Sequence, residues 1–277
     1  FWRQMFRVRA AADITPADIA GARLVLQRKP VIRGGVETGE RLTNSSINRF
    51  LAALSAVFSF ALEHGVIADH PMKAGKVKKL PENAGRQRTL TTDEERRLLD
   101  AAAASEWPMM PLFVLMLMTT AARRSEVNGL RWSDVHLDQK IALLPTSKNG
   151  EPRALPLVPE VRDALAAAHA RRPEGCEFVF FDPRNPKRTK TVDSAWQACR
   201  RAAGLQGTGV VLHSLRHTAV TKMVRSGASL AQVARVSGHR TLSQLKRYEH
   251  LDTADAVALA ERTLANYGVD VTNPEET

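Results

Sequence analysis

The side chains with the most chemical potential lie in the second half of the chain. Leu212-His213-Ser-Leu-Arg216-His217 sets an imidazole and a guanidinium three residues apart, on one face of the start of a helix, where they can hold an anion. Gly238-His239-Arg-Thr241 follows, and Gly238 ends one helix so that His239 falls in the corner before the next. Tyr248 stands two turns into that next helix, and if the helix packs back toward the corner, phenol and imidazole meet. Upstream, Arg123-Arg-Ser-Glu126 places Glu126 in a first helical turn, where a carboxylate suits the positive helix end. Each segment alone also has an ordinary reading: an ion pair at a helix start, a surface helix with incidental His and Arg, a half-buried core tyrosine.

Composition narrows the chemistry. The two cysteines, Cys176 and Cys199, form no CxxC or CxxxH cluster for zinc and fit a reducing, cytoplasmic setting. Clustered carboxylates, as a metal-dependent nuclease would need, are also missing from the pattern. With 40 Lys+Arg against 29 Asp+Glu, the chain carries +11 and favours a polyanionic partner. The longest apolar run, Met109 to Ala122 with Pro111 inside it, falls short of the roughly 18–20 residues of a bilayer span, so nucleic acid is preferred to a membrane.

The elements that must position these groups fall into two modules, as 277 residues at about 150 per domain suggest. Residues 1–72 read as a small all-helical module. It has a helix from Pro16 to Arg28 capped by Thr15, and a second with one buried stripe through Ile47, Phe50, Leu51, Leu54, Val57, Phe58, Ala61 and Leu62 that ends at Gly65. Residues 73–88 are rich in Pro, Gly and cations and read as a basic linker, either a solvated tether or a strap that tracks phosphates. Residues 1–88 hold 15 Lys+Arg and 7 Asp+Glu, net +8, so most of the surplus sits here.

Residues 89–277 form the second module. Thr92-Asp-Glu-Glu95 reads as a capping box, and a central apolar helix runs from Met109 to Thr120. Short strands at Val135–Leu137, Ile141–Leu144 and Arg153–Val158 build a small antiparallel sheet, with another strand at Phe178–Phe181. Helices return at about Val161–Arg171, Val192–Ala203, Ser214–Ser226, Leu230–Ser237, Leu242–His250 and Ala254–Tyr267. The fold class expected is mainly α with a small antiparallel β-sheet.

Taken together, Thr120-Ala-Ala-Arg123-Arg-Ser-Glu126-Val-Asn-Gly-Leu130, Thr146-Ser-Lys148-Asn-Gly-Glu-Pro-Arg-Ala-Leu-Pro156-Leu, His213-Ser-Leu-Arg216-His217 and Ser237-Gly-His239 with Tyr248 nine residues on resemble the tyrosine recombinases of the phage-integrase family. The resemblance covers about residues 89–260, and Thr43 through Pro71 looks like the end of that family's helical core-binding domain, with the first module short for a complete one. It implies six catalytic positions: Arg123, Lys148, His213, Arg216, His239 and Tyr248. The chain departs from the usual pattern at Ala121, where the family has Gly, at Ser214, where it has Asp or a similar residue, and at Ser237, where it has Leu.

What the resemblance implies has a physical logic. A phosphodiester under attack gathers negative charge on its non-bridging oxygens, and Arg123 and Arg216 are the expected clamp, with no metal or other cofactor required. Tyr248 is the expected nucleophile, His213 its base, Lys148 the proton donor to the departing 5′ oxygen, His239 a hydrogen-bond partner of the phosphate, and Glu126 an orienting group. The product is a 3′-phosphotyrosyl bond, which a hydroxyl of another strand can reverse without ATP.

The implied function is site-specific recombination or integration on double-stranded DNA. Free monomers would assemble as a tetramer on two sites, with a directionality factor or DNA-bending protein as possible helpers. The final apolar helix would dock either on a neighbouring protomer or at home. Arg49, Lys73, Lys76, Lys78, Lys79, Arg86 and Arg88 are the expected DNA contacts of the first module and linker. Two alternatives share the fold: a type IB topoisomerase and a DNA-binding protein without turnover.

Overall fold

In the computed structural model, which describes residues 1–73, 75–82, 88–145, 152–239, 241–245 and 248, the chain divides into two units, Phe1–Arg86 and Gln87–Thr277. The first unit starts with a short helix, α1 (Trp2–Met5), followed by α2 (Pro16–Arg28). Thr15 caps α2 as expected: its hydroxyl accepts from the Asp18 amide at 3.2 Å, and the Asp18 carboxylate accepts from the Thr15 amide at 2.8 Å. Helix α3 (Asn44–Glu63) is capped by Thr43 and buries Ile47, Leu51, Leu54, Phe58 and Ala61 against Ile19 and Leu26 of α2. By length and composition alone α3 could cross a bilayer, but its apolar spacing builds this core stripe.

The first unit is not all-helical. Between α2 and α3 lies an antiparallel hairpin, β1 (Pro30–Arg33) and β2 (Val36–Arg41), turning through Gly34 and Gly35 at φ +57° and +83°. Two adjacent glycines at positive φ are a tight-hairpin signature. The strands themselves gave no signal, because β2, Val-Glu-Thr-Gly-Glu-Arg, is exposed along its whole length and shows no alternation.

The stretch read as a linker, 73–88, also differs from expectation, since its residues 75–82 pack with the first unit. The buried Asn48 side chain accepts from the Leu80 amide at 2.9 Å and donates to the Leu80 carbonyl at 2.8 Å and to Glu82 at 2.7 Å, while Val77 and Leu80 join the core. One amide side chain that satisfies both backbone groups of a loop residue holds the segment down without periodic structure.

In the second unit, α4 (Thr92–Ala103) is capped by Thr91 with Glu94, one residue before the pair read from sequence. Helix α5 (Met110–Thr120) is buried on nearly every side and ends at Ala121 in the left-handed region, φ +51°. Helix α6 (Arg124–Asn128) follows directly, then β3 (Val135–His136), β4 (Ile141–Leu144) and β5 (Arg153–Pro156) in one antiparallel sheet of that order, with Leu143 opposite Ala154.

After α7 (Pro159–Ala170) comes a second hairpin, β6 (Phe181–Asp182) and β7 (Asn185–Thr189). Its strands replace the one expected over 178–181, where Phe178 makes only a single bridge to Arg131. Helices α8 (Asp193–Ala202), α9 (Leu212–Arg225) and α10 (Leu230–Ser237) complete the described frame. Instead of opening a regular helix, Leu242–Gln244 form a 3-10 turn. The helix expected at 254–267 lies outside the described residues.

The core of this unit is centred on Trp107, Phe113 and Phe180, with the last two edge-to-face at 5.2 Å. α9 packs along α5, which brings the end of α5 and the start of α6 beside the first turns of α9. The architecture is therefore mainly helical with small antiparallel sheets.

Candidate active site

The site begins where α5 stops. Ala121 turns the chain at φ +51°, so its carbonyl faces α9 and accepts from Arg216 Nη1 at 2.5 Å. Arg216 is one turn into α9 and 4% exposed, and its other terminal nitrogen, Nη2, lies 3.1 Å from His239 Nε2. Burial is the largest influence on this guanidinium, pushing its pKa down to about 10, with the charges of Arg123 and Arg153 adding to the fall. Opposing them are the charges of Glu126 and Tyr248, and Arg216 stays cationic at neutral pH.

Arg123 is the residue before α6, and Glu126 occupies the helix's third position. The Glu126 carboxylate accepts from the Arg123 backbone amide at 2.7 Å and from Arg123 Nη1 at 2.8 Å. It also accepts from Nη2 of Arg153 at 2.5 Å, reaching across from β5. Burial pushes this carboxyl upward, but the Arg123 amide and the two guanidiniums outweigh it and hold the group below the ordinary carboxylate range. Arg123 Nη2 reaches on toward the Gly238 carbonyl at 3.4 Å.

The sequence motif around Arg153 points to no role for it. It is a central strut: its side chain is buried between Glu126 and the Val236 carbonyl at the end of α10. Gly238 is required beside it for two reasons. Its φ is +70°, and a Cβ there would stand 2.8 Å from Arg153 Nε. The glycine is legible in sequence as a helix end; its contact with a strand far upstream is not.

The nucleophile candidate, Tyr248, is 6% exposed within a cluster that includes Ala121, Ala219, Val220 and Val233. Its hydroxyl lies 2.5 Å from Nδ1 of His217, one turn beyond His213 on α9. The rings of His213 and His217 meet edge-to-face at 4.7 Å. The sequence motif points to no function for His217, yet the four-residue spacing from His213 already places both rings on one face.

His213 itself is exposed and, with Arg216, Arg124, Arg200 and Asp193, lines a cavity of about 340 Å³. A larger cavity of about 450 Å³, between α4 and α8 around Trp107 and Lys190, contains none of these residues.

Five of the six expected catalytic positions, Arg123, His213, Arg216, His239 and Tyr248, thus fall in one region with Glu126, Arg153 and His217. The sixth, Lys148, lies outside the described residues, as does Arg86. Of the expected DNA contacts, Arg49, Lys73, Lys76, Lys78 and Lys79 are exposed on the first unit, and Lys76 pairs with Asp69. Arg88 is committed to the Glu94 carboxylate in the second unit.

Both thiols are buried and free, and burial pushes Cys199 up to about 11. Among the described residues no group of three or more His, Cys, Asp or Glu is placed to share a metal ion. Three guanidiniums around one carboxylate, with a buried phenol against an imidazole, can bind a phosphate-like anion and present a nucleophilic oxygen to it.

Known proteins resemble the chain in sequence and in fold. The profile of the phage integrase family matches residues 88–255. A shufflon-specific DNA recombinase from Escherichia coli is 31% identical over 251 residues, which cover 90% of this chain but 61% of that protein's length. The tyrosine recombinase XerA of Thermococcus kodakarensis is 27% identical over 78% of this chain and 76% of its own. Among solved structures, a Tn1549 transposon integrase in complex with transposon right end DNA superposes with a TM-score of 0.69 at 17% identity, over 93% of this chain and 90% of that one. A lambda integrase dimer bound to a core site gives 0.63 at 19% identity, over 85% and 82%. At these identities the two structures establish the fold alone.

Proposed function

The chain belongs to the phage integrase family, and from that premise we propose that it is a site-specific DNA recombinase that cleaves and rejoins strands through a 3′-phosphotyrosyl bond at Tyr248. The observation that carries this reading is the Tyr248 hydroxyl, held 2.5 Å from His217 Nδ1 in a site that gathers the guanidiniums of Arg123, Arg153 and Arg216 about the single carboxylate of Glu126.

A free phenol titrates near pH 10, with a pKa of about 10, and attacks poorly at neutral pH; cationic neighbours and an adjacent proton acceptor correct both defects. In the proposed step Tyr248 Oη gives its proton to the imidazole pair, His217 first with His213 beside it, and forms a bond to phosphorus. The bond between phosphorus and the 5′ oxygen breaks, its electron pair leaves on that oxygen, and the Lys148 ammonium supplies the proton that makes it a hydroxyl. Arg123 and Arg216 meet the non-bridging oxygens, where charge builds up. Glu126 and Arg153 hold Arg123 in place.

One ester replaces another, so a 5′ hydroxyl from a second strand reverses the step without ATP or a metal ion. The substrate of this reading is double-stranded DNA, taken by four protomers on two sites, with a directionality or DNA-bending protein as an added partner. The exposed lysines of the first unit, Lys73, Lys76, Lys78 and Lys79 with Arg49, supply phosphate contacts.

The test is direct: incubate the protein with nicked duplexes in the presence of a chelator and separate the products on a denaturing gel. A covalent conjugate that disappears in Tyr248→Phe supports the proposal. No conjugate from the wild type, or one that survives the substitution, overturns it. Relaxation of supercoiled plasmid with no transfer between duplexes assigns the same chemistry to a topoisomerase.

A further inference from the structure

Ser237 is the last residue of α10, where the resemblance to tyrosine recombinases leads one to expect Leu. It is completely buried, with 0% exposure. Its hydroxyl lies 2.5 Å from the Val233 carbonyl and 2.6 Å from His239 Nδ1. A carbonyl oxygen only accepts, so the single hydroxyl proton of Ser237 goes to Val233, and Ser237 Oγ accepts from Nδ1–H of His239. The opposite ring nitrogen, Nε2, lies 3.1 Å from Arg216 Nη2, a group that only donates. The same Nη2 is 3.5 Å from Nδ1, but its shorter contact is to Nε2, and with Nδ1–H given to Ser237 the lone pair falls on Nε2, facing the guanidinium.

We propose that Ser237 is a positioning residue that fixes the tautomer and orientation of His239 in the DNA-free protein, so that Nε2 is the nitrogen that faces Arg216 and, on taking up a proton, donates to an anion seated there. Leucine can do neither. The backbone makes the device rigid: Gly238 closes the helix at φ +70°, and the amides of Gly238 and His239 both bond the Ala234 carbonyl, at 2.8 and 3.2 Å. The ring therefore leaves the chain at a fixed point two residues past the hydroxyl that orients it. Ser237 touches no substrate in this account and acts through His239. The catalytic consequence rests on the recombinase reading above; the tautomer does not.

Two measurements on the full chain separate these levels. Long-range proton–nitrogen correlation spectra of the DNA-free protein, with His239 assigned by its loss in His239→Gln, are expected to show Nδ1 protonated and Nε2 bare. Ser237→Ala is expected to mix the tautomers and to slow single-turnover conjugate formation on nicked duplex by about 10- to 100-fold, the scale of a misplaced catalytic group. DNA affinity should stay within about twofold, since a contact made only in the transition state is lost. Ser237→Thr, which keeps the hydroxyl, is expected to restore spectrum and rate.

A wild-type spectrum with the proton on Nε2 overturns the proposal, even if Ser237→Ala does not fold. So does Ser237→Ala with wild-type spectrum and rate. A wild type that forms no conjugate but shows the expected ring state refutes the recombinase reading and leaves the positioning of His239 by Ser237 standing.

Discussion

Glu126→Gln removes one negative charge from a site that gathers three guanidiniums while leaving the side chain's shape almost unchanged. The carboxylate is 6% exposed and the Arg153 side chain 10%, so neither charge is served by water once the other is gone. Removing one partner of a buried ion pair costs about 3–5 kcal/mol. The amide oxygen keeps part of the hydrogen bonding, so a loss of about 3 kcal/mol is expected, near the low end of that range. In a cooperative unit of this size that amounts to a fall in Tm of about 6–12 °C.

The loss should also depend on pH in a defined direction. The folded carboxyl of Glu126 titrates below its ordinary value, so its stabilisation is complete above the unfolded pKa of about 4.3 and disappears as pH falls through the folded value. Urea unfolding reported by the second-unit tryptophans, Trp107, Trp132 and Trp196, should show a constant gap between wild type and Glu126→Gln from about pH 6 to 8, closing in acid. A gap under about 1 kcal/mol at neutral pH, or one that persists in acid, refutes the assignment of Glu126 as the charge that makes this cluster stable.

Other substitutions test other levels of the account. Asn48→Ala should destabilise the first unit by about 2 kcal/mol and expose the Leu80 amide to hydrogen exchange, because one side chain satisfies both backbone groups of Leu80. Thr91→Ala should cost about 1 kcal/mol in the second unit through loss of the α4 cap, whereas Thr92→Ala should cost little, which checks by denaturation which threonine caps the helix. Replacing Lys76, Lys78 and Lys79 with alanine should flatten the dependence of log DNA affinity on log salt by about 2–3, at about 0.9 per phosphate contact. An unchanged slope removes these lysines from the interface.

The helices were legible because their signals are local. Thr15 with Asp18 and the apolar spacing from Ile47 to Ala61 fix α2 and α3 within the segments themselves. Where two local signals overlap, sequence does not choose: Thr91-Thr92-Asp-Glu94-Glu95 contains two capping boxes in adjacent registers, and the chain uses the first. Both missed hairpins have polar strands, Val36–Arg41 and Asn185–Thr189, whose exposed faces carry no alternation to read.

In the site, the side chains expected from the resemblance, and Glu126 that orients Arg123, were visible as motifs, and Arg153, which braces them, was not. Arg153 finds Glu126 and Val236 only once β5, α6 and α10 have packed, so no spacing within β5 reveals it. His217 is the opposite case: it shares a helix face with His213, and only the position of Tyr248, set by the chain beyond α10, selects it as the phenol's partner. Ala121 shows that a position where glycine is usual can keep its left-handed turn with a methyl group, buried in the cluster around Tyr248.

The central claim concerns which oxygen joins the DNA. The chain has two tyrosines, Tyr248 and Tyr267. Trapping the conjugate on a nicked duplex, digesting it with protease and locating the nucleotide-bearing peptide by mass spectrometry decides between them. The account predicts a peptide containing Tyr248, linked to the 3′ phosphate of the upstream fragment, with a free 5′ hydroxyl on the other. A linkage at Tyr267, at any other side chain, or to a 5′ phosphate contradicts it.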